Sequence, residues 1–172
     1  PPISWGLLLL FANWLRGHRS KAAGAALVVG FHLLLRGGEL AGLKVGDGVF
    51  AEDDRLRGEE KTARAVVVLK KTKTGKNQSV TVLDDRVAEL LRSWTVGRGK
   101  DELLFGRTHT TLLKDIKEAC AAYKLEDPYV LHSLRHGGAT KLYLDGWSVS
   151  DIMQRGRWAE AKSARRYIQE SR

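Results

Sequence analysis

Apolar residues recur at helical spacing over most of this chain, and the places where that spacing fails are as informative as the places where it holds. WGLLLLFANWL (5–15) and KAAGAALVVGFHLLL (21–35) predict two helices, the second apolar on nearly every side and therefore central and buried. A short helical turn over Glu39–Leu43 follows. Between 46 and 62 the pattern dissolves into glycine and charge, which predicts a loop with a short strand near Val49. ARAVVVLKK (63–71) is β-branched with little alternation, and QSVTVL (78–83) lies beyond the turn TKTGKN; together they predict a β-hairpin. RVAELLRSW behind Asp84 and Asp85 predicts a helix with an acidic start, and Thr108–Tyr123 predicts another, with Asp127-Pro128 breaking the pattern. Ser133 is placed to cap a helix running to about Leu144, where Asp145-Gly146 ends it. Ser148 with Asp151 reads as a capping-box variant opening a short helix to about Gly156, and a last helix covers 159–170. The fold class expected is mainly α with a small antiparallel β-sheet, in a single domain spanning 1–172.

Composition narrows this without changing it. The 172 residues are enough for one real core, and 43% hydrophobic with 28% charged residues is ordinary for a globular protein. No apolar run approaches the ~20 residues of a membrane span. GLLLLFANWL (6–15) comes nearest and lacks the flanks of a signal peptide. The single cysteine, Cys120, rules out an internal disulfide framework and a cysteine-built zinc site, and reads as a small buried side chain. A net charge of +9 leaves two readings open, a polyanion partner or a merely basic surface. Glu52, Asp53, Asp54, Glu59 and Glu60 would repel a polyanion, so that stretch is expected to face away from one.

Four separated segments hold candidate chemistry. In LLLRGGEL (33–40), Arg36 follows a fully apolar helix and needs an anionic partner; Glu39, three residues on, could be a plain intrachain ion pair. In KKTKTGKNQ (70–78), Lys70, Lys71, Lys73 and Lys76 make either a solvated turn or an arm laid into a nucleic-acid groove. In HSLRHGGAT (132–140), His132 and Arg135 share a face near a helix N-terminus, where N–H groups and the dipole favour an anion. Gly137 and Gly138 cost helix propensity there and so are expected to permit close packing. In RGRWAEAKSARRYIQ (155–169), Trp158 and Tyr167 are packing residues on the plainer reading, and Arg165 and Arg166 flank the tyrosine.

In this order the four segments resemble the catalytic domain of the tyrosine recombinases, or phage integrase family. Arg36 and Glu39 match R-x-x-E-L, Lys73 matches the hairpin lysine, and His132 with Arg135 matches H-x-x-R, continued by His136. Trp158 stands where the family has His or Trp, nine residues before Tyr167. Two departures occur: Leu34-Leu35 where the family often has Thr-Gly, and Arg157-Trp158 where many members read Gly-His. The GRW and RHGGAT forms are similar to those of recombinases of eukaryotic mobile elements.

The resemblance implies the tyrosine recombinase catalytic-domain fold and cleavage and rejoining of DNA strands through a 3′-phosphotyrosine. Tyr167 would be the nucleophile, Arg36 and Arg135 would clamp the phosphate, and His132 would serve as base or proton shuttle. Lys73 would protonate the departing 5′ oxygen, and Trp158 would donate its indole N–H to the phosphate. Glu39 and His136 would support the site, while Lys70, Lys71, Lys76, Arg165 and Arg166 would contact DNA. The covalent link conserves bond energy, so neither ATP nor a metal is implied. Double-stranded DNA is the implied partner, in an intracellular setting: the nucleus for a eukaryotic protein, the cytoplasm or nucleoid for a bacterial one. Self-association into a tetramer on DNA is implied too, weakened by the short stretch after Tyr167. An N-terminal DNA-clamping domain is expected to be absent from this chain. The competing readings are a type IB topoisomerase-like relaxation of DNA and a DNA-binding module that has lost catalysis.

Overall fold

The computed structural model describes residues 1–51, 64–72, 75–126 and 128–169, without the side chains of Lys71, Thr72, Lys76, Asn77, Tyr167 and Gln169. The acidic stretch of residues 52–60 and the hairpin tip with Lys73 lie outside the described residues.

Helix α1 (Trp5–His18) starts where the Ser4 hydroxyl accepts the Leu7 N–H, and it buries Leu8, Phe11 and Leu15, spaced three and four apart on one stripe. Helix α2 (Lys21–His32), capped by Ser20, is buried on almost every side. Gly24 lets it approach α1: a Cβ there would stand 2.5 Å from the Ala12 carbonyl oxygen. The helix was expected to run to Leu35 but stops at His32. Its end is a Schellman closure, with the Leu34 N–H on the Phe31 carbonyl and the Leu35 N–H on the Gly30 carbonyl, and Leu34 takes φ 51°. That turn was hidden because the residue bearing it is a leucine rather than glycine.

Arg36 then caps the short α3 (Gly37–Gly42). After a 3₁₀ turn (Val45–Asp47), strands β1 (Gly48–Phe50), β2 (Ala65–Thr72) and β3 (Gly75–Thr81) form one antiparallel sheet in chain order, with Val67 opposite Val80 and Thr72 opposite Gly75. The hairpin is tighter than expected, β3 beginning at Gly75 rather than Gln78. β2 alternates poorly because both its faces are covered: Val67 and Leu69 join the main core, while Val66 packs with Val49 on the other side.

Helices α4 (Asp85–Thr95) and α5 (His109–Ala122) are capped by Asp84 and Thr108. Helix α6 (Leu131–Leu144) begins two residues earlier than Ser133: Val130 is the cap residue, and the Ser133 hydroxyl reaches back to accept the Val130 N–H. His132 therefore lies inside the first turn. Gly137 and Gly138 do permit close packing, since a Cβ on either would collide with the carbonyls of Ile3 and Phe31 respectively. Helix α7 (Val149–Gly156) is capped by Ser148, as the spacing predicts, and α8 (Ala161–Gln169) follows. Most of the core forms one cluster centred on α2; a second, small cluster joins Leu34, Ala139, Ile152 and Ile168. Among the described residues no helix is long and apolar enough to cross a membrane.

Candidate active site

Two helix C-termini meet, and arginines fill the space between them. The end of α7 repeats the closure of α2: the Arg157 N–H reaches the Gln154 carbonyl, the Trp158 N–H reaches that of Met153, and Arg157 takes φ 58°. Helix C-termini expose carbonyl oxygens and carry the negative end of the helix dipole, so they suit cations. Arg135, projecting from α6 and only 1% exposed, donates from Nη1 to the Leu34 carbonyl and from Nη2 to that of Gly156, each at 2.5 Å. The Trp158 ring closes over it, with Cζ 4.0 Å from the ring centroid. A Cβ on Gly156 would collide with that ring, which is why the helix ends on glycine just before the arginine.

Arg36 lies at the same junction, half-buried. Nη1 donates to Glu39 Oε1 at 3.0 Å, and Nη2 reaches the Arg157 carbonyl at 3.4 Å. Glu39 also accepts the Arg36 backbone N–H through Oε2 at 2.8 Å, so one carboxylate starts α3 and holds the guanidinium that precedes it. The same Oε2 takes a 2.6 Å bond from Arg157 Nη2. Arg155, two residues back, donates to the Thr81 and His32 carbonyls and ties α7 to β3 and α2.

Burial first, and the arginines second, set the protonation of the histidines. His132, at the rim, is held below the usual imidazole range first by partial burial, then by Arg135 and Arg36. Its ring packs edge-on against His136 at 4.3 Å, one helical turn away. His136 is pushed down to about 3, mainly by burial. His32 is pushed down to about 4, again mainly by burial and then by Arg155. Both clamp candidates thus lie beside an imidazole that is neutral at pH 7.

Arg36, Glu39, His132, Arg135, His136 and Trp158, read from three separated segments, occupy one place. The backbone of Tyr167 is on α8, whose neighbour Ile168 is buried with Leu34 and Ala139. Lys70 is exposed and pairs with Asp47 at 3.4 Å, and Arg165 and Arg166 are exposed on α8. Lys71 and Lys76 face each other in the β2–β3 register. Arg155 and Arg157 were not singled out as site residues; the departure from Gly-His at 157–158 was the available signal.

The model of the phage integrase family matches residues 15–172. Among solved structures, XerA recombinase superposes with a TM-score of 0.71 at 17% identity, covering 98% of this chain and 58% of its own. XerH site-specific recombinase, in a post-cleavage complex with its difH substrate, gives 0.74 at 20% identity, covering 98% and 49%. The Tn1549 transposon integrase, in complex with circular intermediate DNA, gives 0.70 at 16%, covering 97% and 60%. This chain thus spans about half to three-fifths of the length of the structures it matches. No curated protein sequence matches it significantly.

Proposed function

We propose that this chain, which belongs to the phage integrase family, cuts and rejoins DNA strands at a specific site through a 3′-phosphotyrosine formed by Tyr167. The observation that carries the reading is the seating of Arg135 between the carbonyl ends of α2 and α7, with Arg36 held alongside. A phosphodiester under attack gains negative charge on its non-bridging oxygens, and guanidiniums oriented in advance stabilise that charge without reorganising.

Attack needs the phenol of Tyr167 to lose a proton although its reference pKa is ~10. His132 is the residue assigned that proton: burial and the two arginines keep it neutral at pH 7, so its ring can accept. The Tyr167 oxygen then bonds to phosphorus, the bond to the 5′ oxygen breaks, and Lys73 gives that oxygen a proton. Reversal with a different 5′ hydroxyl joins new partners. Trp158, fixed over Arg135, is assigned an indole N–H donated to the phosphate, and Glu39 and His136 are assigned support of the clamp. Lys70, Lys71, Lys76, Arg165 and Arg166 are assigned the flanking DNA backbone. The reaction takes place on DNA inside the cell.

A nicked suicide duplex tests this. Wild-type chain should trap a covalent adduct that Tyr167→Phe lacks; DNA binding without an adduct would make the chain a binding module. Transfer of the trapped strand to a second labelled duplex separates recombination from relaxation of one molecule. Lys73→Ala should slow cleavage, and a substrate with sulfur at the 5′ bridging position should restore it, because a thiolate leaves without an acid. Failure of that restoration would remove the acid role from Lys73.

A further inference from the structure

Arg157 is an unexpected residue for its backbone. At φ 58° and ψ 44° it closes α7 in the left-handed conformation that glycine adopts freely and side chains resist. Its side chain is not turned out to solvent: the residue is 9% exposed, and its guanidinium ends inside the site. Nη2 donates to Glu39 Oε2 at 2.6 Å and reaches the Leu34 carbonyl at 3.4 Å, while Nη1 donates to the Arg155 carbonyl at 3.1 Å.

The effect falls on Arg36. A carboxylate facing one arginine tends to form a forked pair, both oxygens on both nitrogens of one edge, which would cancel the guanidinium and hide that edge. Here Oε2 is taken by Arg157 and by the Arg36 backbone N–H, and Glu39 meets the Arg36 guanidinium through Oε1 alone. The Arg157 carbonyl then receives Arg36 Nη2. Arg36 is gripped on two nitrogens by groups that Arg157 itself holds or supplies, and among the described residues its other N–H groups meet no acceptor, which leaves them for an anion. One carboxylate serves two guanidiniums, so the group keeps net positive charge.

We propose that Arg157 is a positioning residue for the phosphate clamp: by joining the Arg36 backbone N–H on one oxygen of Glu39 it keeps that carboxylate from chelating the Arg36 guanidinium and orients the guanidinium toward the scissile phosphate. This rests on the reading of the site as a phosphodiester clamp. Arg157 is buried and acts through Glu39 and Arg36 rather than on the substrate.

The test is single-turnover cleavage of the nicked duplex, with DNA affinity measured alongside. Arg157→Gly suits the backbone at this position and leaves a hole the size of a guanidinium. It should bind DNA within about twofold of wild type, yet cleave about 10- to 100-fold more slowly, as expected when a reacting group is misplaced by about 1 Å. Low millimolar guanidinium or ethylguanidinium should recover much of that rate and leave wild type unaffected. Arg157→Met, which keeps the packing volume, should be equally slow, and Arg157→Lys should fall between. An Arg157→Gly rate equal to wild type would overturn the proposal. So would a slow rate that guanidinium does not restore, which marks a structural role only. A wild-type chain that forms no adduct would remove the clamp reading itself, and this inference with it.

Discussion

Asp115 and Glu39 are both buried carboxylates facing arginine, and they are arranged differently. Asp115, fully buried on α5, meets one guanidinium: Arg107 donates from Nε at 3.1 Å and from Nη2 to both oxygens at 2.5–2.6 Å. Glu39 is divided between Arg36 and Arg157, at the junction where Arg135 is also held. The first arrangement is closed; its charges cancel, and it fastens the segment before α5 to that helix. The second leaves more cation than anion in a partly sheltered place, which costs stability unless something negative arrives. Of two arrangements built from carboxylate and guanidinium, one closes on itself and the other keeps an excess of positive charge.

Three perturbations bear on that contrast, in falling order of expected effect. Arg107→Ala leaves Asp115 buried without its ion pair, and should cost about 3–5 kcal/mol in urea unfolding. Cleavage per folded molecule should stay at the wild-type rate. A cleavage defect at full folding would erase the distinction between the two regions. Arg135→Lys keeps a charge but loses the fork; cleavage should fall about 100- to 1,000-fold, while non-specific DNA binding, which rests on many phosphate contacts, changes a few-fold. Parallel losses in both would mean that Arg135 is only one binding contact among many.

The smallest effect is one of pH. In the folded state His136 protonates only near 3 and His32 near 4, both chiefly because of burial; unfolded imidazoles protonate near 6.5. Between those values the unfolded chain binds more protons, so this stability is fully present above pH 6.5 and drains away as the pH falls toward 4. Melting temperature should therefore decline from pH 7 to 4, and less steeply in His32→Gln, which removes the imidazole set among Arg155, Asp84, Lys141 and Arg86. Identical slopes would show that the arginine-rich region does not control acid sensitivity.

Periodicity made α1, α4 and α5 legible, the Ser148–Asp151 spacing gave α7, and two runs flanking a Thr/Gly/Asn turn, the first β-branched, gave the hairpin. The ends of α2 and α7 were not legible as left-handed turns: the usual marker is glycine, and here the positions hold Leu34 and Arg157. The start of α6 was misread because Ser133 satisfies Val130 from within the helix rather than in front of it. H-x-x-R was visible because three-residue spacing places His132 and Arg135 on one face. The partnership of Arg157 with Glu39 spans 118 residues and shows no local pattern, so it emerged only when the two C-termini were placed together. The pair Arg107–Asp115, eight residues apart across a helix start, had no signal either.

The described side chains of the last helix moor it lightly. Of the side chains described on α8, only Ala164 and Ile168 are buried, and Ile168 belongs to the small cluster with Leu34, Ala139 and Ile152 rather than to the main interior. Two anchors resist detachment far less than the interlocked middle of the molecule does. So sparse a mooring would let that segment come and go while the arginine cradle stays assembled.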